Sequence, residues 1–305
     1  PGAYTVFRVE LFKGKSHFGE NAAFDKTLPT NYLADEVIDD NKVDALLAKK
    51  YDETIVIAED DPEILAYLKD ELSTNFRVIA VNNGYDAVKA VMDNEVSLIL
   101  SDVLMPALNG FQLCSNIKSN IATCHIPIVL LTALSDDNQR IYGIAEGADE
   151  YIHKPFNMQY VRLKIIRIIE ERRRLADTFA QKFGRLTRHE AANLPCVDDV
   201  FRDKLFNLIE AQHSDSNFKI ELMSDMLGMS RILLYRKITS IFGMSPSDLL
   251  RNYRLQKAVQ LLTDQRRNVS EVAYIVGFSS PAYFAKCFKS VYNMTPTEYM
   301  YRTRE

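Results

Sequence analysis

A chain of 305 residues predicts about two domains, and its 47% apolar content is ordinary for globular folds. No apolar run approaches the length of a bilayer span and the start resembles no signal peptide. Cys114, Cys124, Cys196 and Cys287 share no CxxC spacing and have no His cluster beside them, so they read as reduced cytosolic thiols, not disulfides or zinc ligands. The net charge of −4 is unevenly spread: residues 1–171 carry 16 Lys and Arg against 27 Asp and Glu, and residues 172–305 carry 21 against 14. That polarity suggests an acidic module joined to one that meets a polyanion.

In chain order, residues 1–20 contain GAYTVFRVELFKGKSHF, in which Phe7, Val9 and Leu11 alternate with Val6, Arg8 and Glu10 as in a half-buried strand. The stretch resembles the last strand of a histidine-kinase ATPase domain, which implies a C-terminal stub of that domain; no other kinase element is present. Residues 21–53 are acidic and loosely helical, a linker.

From residue 54 strands and helices alternate. The pattern predicts strands at Thr54–Ala58, Arg77–Val81, Ser97–Ser101, Ile126–Leu131 and Tyr151–Ile152. Helices are predicted at Pro62–Ser73, Asp86–Met92, Gly110–Ser119 and Asp136–Glu146, with a long one from Asn157 onward. Five βα units predict a doubly wound parallel sheet.

The strand ends carry the chemistry. The first closes on Glu59-Asp60-Asp61, the third on Asp102, the fourth on Thr132 and the fifth on Lys154-Pro155. A parallel sheet opens all of these onto one edge, where α/β folds bind ligands. A carboxylate at the mouth of a core is costly unless it is solvated, neutralised or held by a cation. Asp102 on its own is no more than an Asp that begins a turn. Converging with other acids, a hydroxyl and an ammonium, it is a reactive group.

This pattern, with 42 residues from Asp60 to Asp102, 30 to Thr132 and 22 more to Lys154, resembles the response-regulator receiver domain over residues 54–171. The resemblance implies Mg²⁺ held by Asp60, Asp102 and the backbone carbonyl of Leu104, with Glu59 acting through water. It implies Asp102 as acceptor of a phosphoryl group from a phosphohistidine, with Thr132 and Lys154 assisting. It also implies Thr132 and Tyr151 as a switch pair, and a cis bond before Pro155. Many receivers carry Asp where Glu59 stands.

Residues 172–199 continue the last receiver helix as a charged helical linker, either a dimer coiled coil or a solvated helix. Residues 200–305 contain an internal repeat. GMSRILLYRKITSIFGMSPSDLL begins at Gly228 and GFSSPAYFAKCFKSVYNMTPTEYM at Gly277. Each copy predicts a helix, a Gly turn and a Ser-capped second helix, followed by a hydroxyl cap, Pro and an acid that start a further helix. Two such helix-turn-helix units resemble the AraC-type DNA-binding domain, in which the second helix of each unit enters a major groove.

Core spacing claims Leu234, Ile238, Phe284 and Phe288. The outward faces are then Arg231, Ile232, Tyr235 and Arg236 on the first reading helix, and Pro281, Ala282, Ala285 and Lys286 on the second. Arg236 and Lys286 can pair with guanine or phosphate. Arg251, Arg254, Lys257, Arg266 and Arg267 are candidate phosphate clamps or solvated surface.

The order of modules resembles the C-terminal part of hybrid two-component regulators of gut bacteria. That resemblance implies a cytoplasmic portion of a parent chain anchored in the inner membrane. Phosphorylation of Asp102 by a kinase of the same parent chain would promote homodimerisation and binding of double-stranded DNA, often at carbohydrate-utilisation operons. The competing reading is a phosphorelay or phosphoryl-transfer protein whose basic domain binds protein.

Overall fold

A computed structural model describes residues 40–132, 147–183, 198–264 and 267–302. The expected stub over 1–20, most of the linker over 21–53 and the expected helix Asp136–Glu146 lie outside them. No helix among the described residues is long and apolar enough to cross a membrane.

After a first helix, α1 (Asp40–Ala48), five parallel strands form one sheet: β1 (Thr54–Ala58), β2 (Arg77–Val81), β3 (Leu98–Asp102), β4 (Ile128–Thr132) and β5 (Glu150–His153). The order is β2-β1-β3-β4-β5. Strands of this kind are buried on both faces, so they read as apolar runs. Ile57, Leu98, Leu100 and Leu131 meet one core, and Val56, Ile99, Ile128 and Leu130 the other.

The helices on these faces are α2 (Pro62–Ser73), α3 (Gly84–Asp93), α4 (Gly110–Ser119) and α5 (Met158–Phe183). Asp61 starts α2 by accepting from the amides of Glu63 and Ile64, and Asn109 starts α4 through a reciprocal cap with Gln112. β3 and β4 both run one residue further than their sequence pattern suggests. The ladder pairs Asp102 with Leu131 and Thr132 with His153, so these polar residues are strand members and not turn residues. α4 opens on Gly110 because a side chain there would stand 2.3 Å from the Asp102 carbonyl oxygen.

Seven helices follow among the described residues: α6 (Asp199–Gln212), α7 (Ile220–Leu227), α8 (Arg231–Phe242), α9 (Pro246–Thr263), α10 (Val269–Ile275), α11 (Pro281–Tyr292) and α12 (Pro296–Arg302). The repeat is visible in their joints. Gly228 and Gly277 turn at φ 66° and 88°, and Ser230 and Ser280 cap α8 and α11. Ser245 and Thr295 each accept from an amide three residues on, as the two matching sequence phrases predict.

The helices divide into two cores. Leu255, Val272, Phe284 and Phe288 belong to the second. The first unites Leu234, Ile238 and Phe242 with Phe179 and Phe183 of α5 and with Ala122, which follows α4. α5 is thus shared, with its first half on the sheet and its last turns inside the helical region.

Candidate functional site

The C-terminal edge of the sheet gathers the expected acids. Glu59, Asp60 and Asp102 bring one carboxylate oxygen each to within 4.8 Å of one another. Glu59 is 1% exposed, Asp102 is buried and Asp60 faces solvent. Asp61 is occupied in capping α2, so it is spent on local structure.

Lys154 closes the cluster. Its ammonium donates to Glu59 Oε2 at 2.8 Å and lies 3.0 Å from Asp102 Oδ2. The other Asp102 oxygen accepts from the Val103 amide at 2.7 Å. The peptide between Lys154 and Pro155 is cis. The Lys154 amide also donates to the Thr132 carbonyl at 2.7 Å, which fixes the lysine beside the end of β4.

Three acids against one ammonium leave excess negative charge. Burial pushes the Glu59 carboxyl above its ordinary range and the nearby Asp102 adds to that, against the pull of Lys154. Burial would lower the Lys154 ammonium, but its bonds to Glu59 and Asp102 win and raise it. Both groups hold protons more tightly for one reason, a local deficit of positive charge. An all-oxygen donor set with such a deficit fits a hard divalent cation of the Mg²⁺ type.

Thr132 is buried at the end of β4, and Tyr151 is half-buried and pairs with Leu130. Leu104 is exposed in the loop after β3. The strand ends therefore bring Glu59, Asp60, Asp102, Thr132 and Lys154 to one edge, with Tyr151 three residues before the lysine.

The second candidate surface lies on α8 and α11. Ile232 is 63% and Tyr235 49% exposed, and Arg231 is open to solvent although it sits 3.4 Å from Glu221. Ala282 and Lys286 are exposed, whereas Pro281 and Ala285 are half-buried, a correction to the outward face expected of α11. Tyr283, 53% exposed, joins that face instead; its place in the first turn beside Ala282 is the signal that could have found it.

Arg236 corrects the expectation more sharply. Its guanidinium donates to the Met92 and Asp93 carbonyls, at 3.2 and 3.1 Å, at the end of α3. Three of the expected phosphate clamps are likewise engaged within the protein. Arg251 pairs with Asp248, Arg254 donates to the His213 and Asp215 carbonyls, and Lys257 pairs with Glu210. Arg266 lies outside the described residues.

Sequence reasoning misses Lys237. It has no exposed surface, bonds to Asp198 Oδ2 at 2.6 Å, the Ile121 carbonyl and Cys124 Sγ at 3.2 Å, and stands 4.5 Å over the Phe201 ring. Beside it, His125 is buried and its proton affinity is pushed down to about 3. Burial is the main cause, aided by the positive Lys237, Arg172 and Lys118 against the opposing charge of Asp198.

That depression has a sign. Below about pH 6.5 the unfolded chain takes up a proton at His125 that the folded chain refuses, so stability falls as the pH drops from there toward 3. Urea unfolding at pH 5.5 against pH 7.5 is expected to cost wild type about 1.4 kcal/mol more than it costs His125→Asn. An equal pH dependence in the two proteins would refute the assignment.

Comparisons with known proteins bear on both surfaces. The family model for the response regulator receiver domain matches residues 55–166, and that for a helix-turn-helix domain matches residues 223–302. Histidine kinase P4 of Formosa agariphila is 35% identical over 309 residues, which cover 99% of this chain and 22% of that protein. Transcriptional regulatory protein GltR of Pseudomonas aeruginosa is 38% identical over 113 residues, 37% of this chain and 47% of that one. The signal receiver domain of a signal transduction histidine kinase from Syntrophus aciditrophicus aligns with a TM-score of 0.38 and 34% identity, covering 39% of this chain and 91% of that one. The chain thus spans about a fifth of the first relative's length and about half of the second's. It carries a response regulator receiver domain followed by a helix-turn-helix domain of AraC type.

Proposed function

We propose that this chain is the output end of a hybrid two-component regulator, in which phosphorylation of Asp102 controls DNA binding by the twin helix-turn-helix. The observation that carries the reading is the pairing of two features: a buried Asp held 3.0 Å from an ammonium in an acid cluster, and a matched helix-turn-helix domain in the same chain. The relay reading, with a protein-binding basic domain, has no comparable support.

In this reading an Asp102 carboxylate oxygen attacks the phosphorus of a phosphohistidine, forming an O–P bond as the P–N bond breaks. Asp60, Asp102 and the Leu104 carbonyl hold Mg²⁺, with Glu59 behind them, and the ion supplies positive charge to the phosphoryl oxygens. Lys154 sits ready to share that charge, which costs no reorganisation at the moment of transfer. The Thr132 hydroxyl then binds a phosphoryl oxygen and Tyr151 repacks, reshaping the face that includes residues 136–146. Two chains pair on that face, and pairing raises the effective concentration of the second DNA-binding domain. The kinase donor belongs to the same parent chain, which lies in the inner membrane with this portion in the cytoplasm.

Arg231, Ile232, Tyr235 and Arg236 read one major-groove segment, and Pro281, Ala282, Ala285 and Lys286 the next. Fluorescence anisotropy on DNA upstream of the parent's own gene neighbourhood tests the function. Binding should be sequence-preferring and weaken with salt, and Lys286→Ala should cost about 1–3 kcal/mol. Wild-type affinity in that variant would remove Lys286 from the interface, and absence of any sequence preference would remove the reading.

A further inference from the structure

We propose that the receiver masks the first reading helix, α8, and that phosphorylation of Asp102 frees it, so that the unmodified chain meets DNA with α11 alone. This rests on the DNA-binding function proposed above and names its regulation.

The contact lies at the N-terminal edge of the sheet, opposite the acid cluster. The last turn of α3 ends in carbonyls with no partner inside the helix. Arg236 fills that role, with one guanidinium nitrogen on Met92 and another on Asp93. A cation at a helix C-terminus is favoured by the helix dipole as well. The side chain best suited to a guanine edge is thus committed to the receiver.

Lys237, the next residue, is the deeper latch. It joins Ile121 and Cys124 of the receiver to Asp198 at the head of α6, with nothing left exposed. Ala122 inserts into the same core as Ile238 and Phe242. α8 is therefore fixed along one side by receiver backbone, by a buried cation and by apolar packing. The second reading helix differs: its core is separate, and Tyr283 and Lys286 are exposed.

The contact is also built to open. Between the two halves lies a cavity of about 320 Å³, lined in part by Glu53, His125 and Thr239. Glu53 Oε2, His125 Nδ1 and Thr239 Oγ1 are buried there without a hydrogen-bond partner among the described residues. A permanent interface satisfies such groups, because each unpaired one offsets part of what burial gains. Incomplete satisfaction narrows the gap between closed and open forms, which a two-state switch requires.

The test uses the full chain, a mixed-sequence 30-base-pair duplex as probe and Mg²⁺ with BeF₃⁻ in place of the phosphoryl group. Without BeF₃⁻, Lys286→Ala should weaken duplex binding about tenfold and Arg236→Ala should not weaken it. With BeF₃⁻, both should weaken it about tenfold. Equal weakening by Arg236→Ala in both conditions overturns the mask.

A second readout needs no DNA. Acetylation of intact protein, read by peptide mass, should label Lys286 at once and spare Lys237, and BeF₃⁻ or Ala122→Glu should expose Lys237. Ready labelling of Lys237 in unmodified wild type, or its continued protection with BeF₃⁻, overturns the mask. Failure of every protein to bind the duplex would instead count against the DNA-binding function, while the lysine pattern still decides whether α8 is covered.

Discussion

Replacing Asp102 by Asn is expected to abolish phosphorylation by acetyl phosphate in Mg²⁺, read as loss of the single-phosphate increment in the intact mass. The amide keeps the shape and a hydrogen-bonding oxygen for the Val103 amide, but it lacks the anionic nucleophile. Its neutral head also ends the ion pair with Lys154. Retention of the increment at the wild-type level in the mutant would reassign the acceptor, and the exposed Asp60 would become the group to examine. Lys154→Met separates positioning from nucleophilicity. It leaves Asp102 in place but withdraws the ammonium 3.0 Å away, so phosphorylation should slow by about 10²–10³ and not vanish.

Asp198→Ala is expected to be among the most destabilising single changes in the chain, by about 3–5 kcal/mol in urea unfolding. The carboxylate is the charged partner of a fully buried ammonium and caps α6 by accepting from the Phe201 amide at 2.9 Å. Losing the cap alone costs about 1 kcal/mol. The larger part comes from Lys237, left charged with only a carbonyl, a thiol and a ring face for company. The reverse deletion differs in kind. Lys237→Met removes the cation and fills the slot with apolar atoms, while Asp198 keeps the Phe201 amide and the Cys124 thiol. It should cost much less than Asp198→Ala. Equal losses in the two variants would mean that the pair, and not the stranded charge, sets the energy.

The acid cluster is legible in the sequence because topology does the gathering. Once the strands are known to be parallel, Glu59, Asp60, Asp102, Thr132 and Lys154 must share one edge, however far apart they stand in the chain. The paired reading helices are legible for a similar reason, since the repeat aligns Leu234 with Phe284 and Arg236 with Lys286. The fates of Arg236 and Lys237 are not. A basic residue on an amphipathic helix reads as solvated surface, and nothing within its own segment reverses that. Lys237 is buried by a carbonyl 116 residues away and by an acid beyond the helix's own repeat. Arg236 finds its acceptors at 144 and 143 residues' distance, as unpaired carbonyls that carry no side-chain signature. Contacts made by backbone groups across domains leave no trace in composition or periodicity.

The close fit of Gly110 acquires a mechanical meaning from what lies at the far end of its helix. A ten-residue α4 is a strut about 15 Å long. Its first residue lies against the backbone of Asp102, near enough that a single methyl group would collide. Directly beyond its last turn stand Ile121, Ala122 and Cys124, the residues that grip Lys237 and fill the neighbouring core. Helices resist compression far better than loops resist bending. A displacement of the Asp102 strand end therefore has two outlets: it is absorbed in the loop before Gly110, or it travels the length of the strut and arrives at the grip. Because contact at the near end is backbone against backbone, no side-chain rotamer is available there to take up the slack.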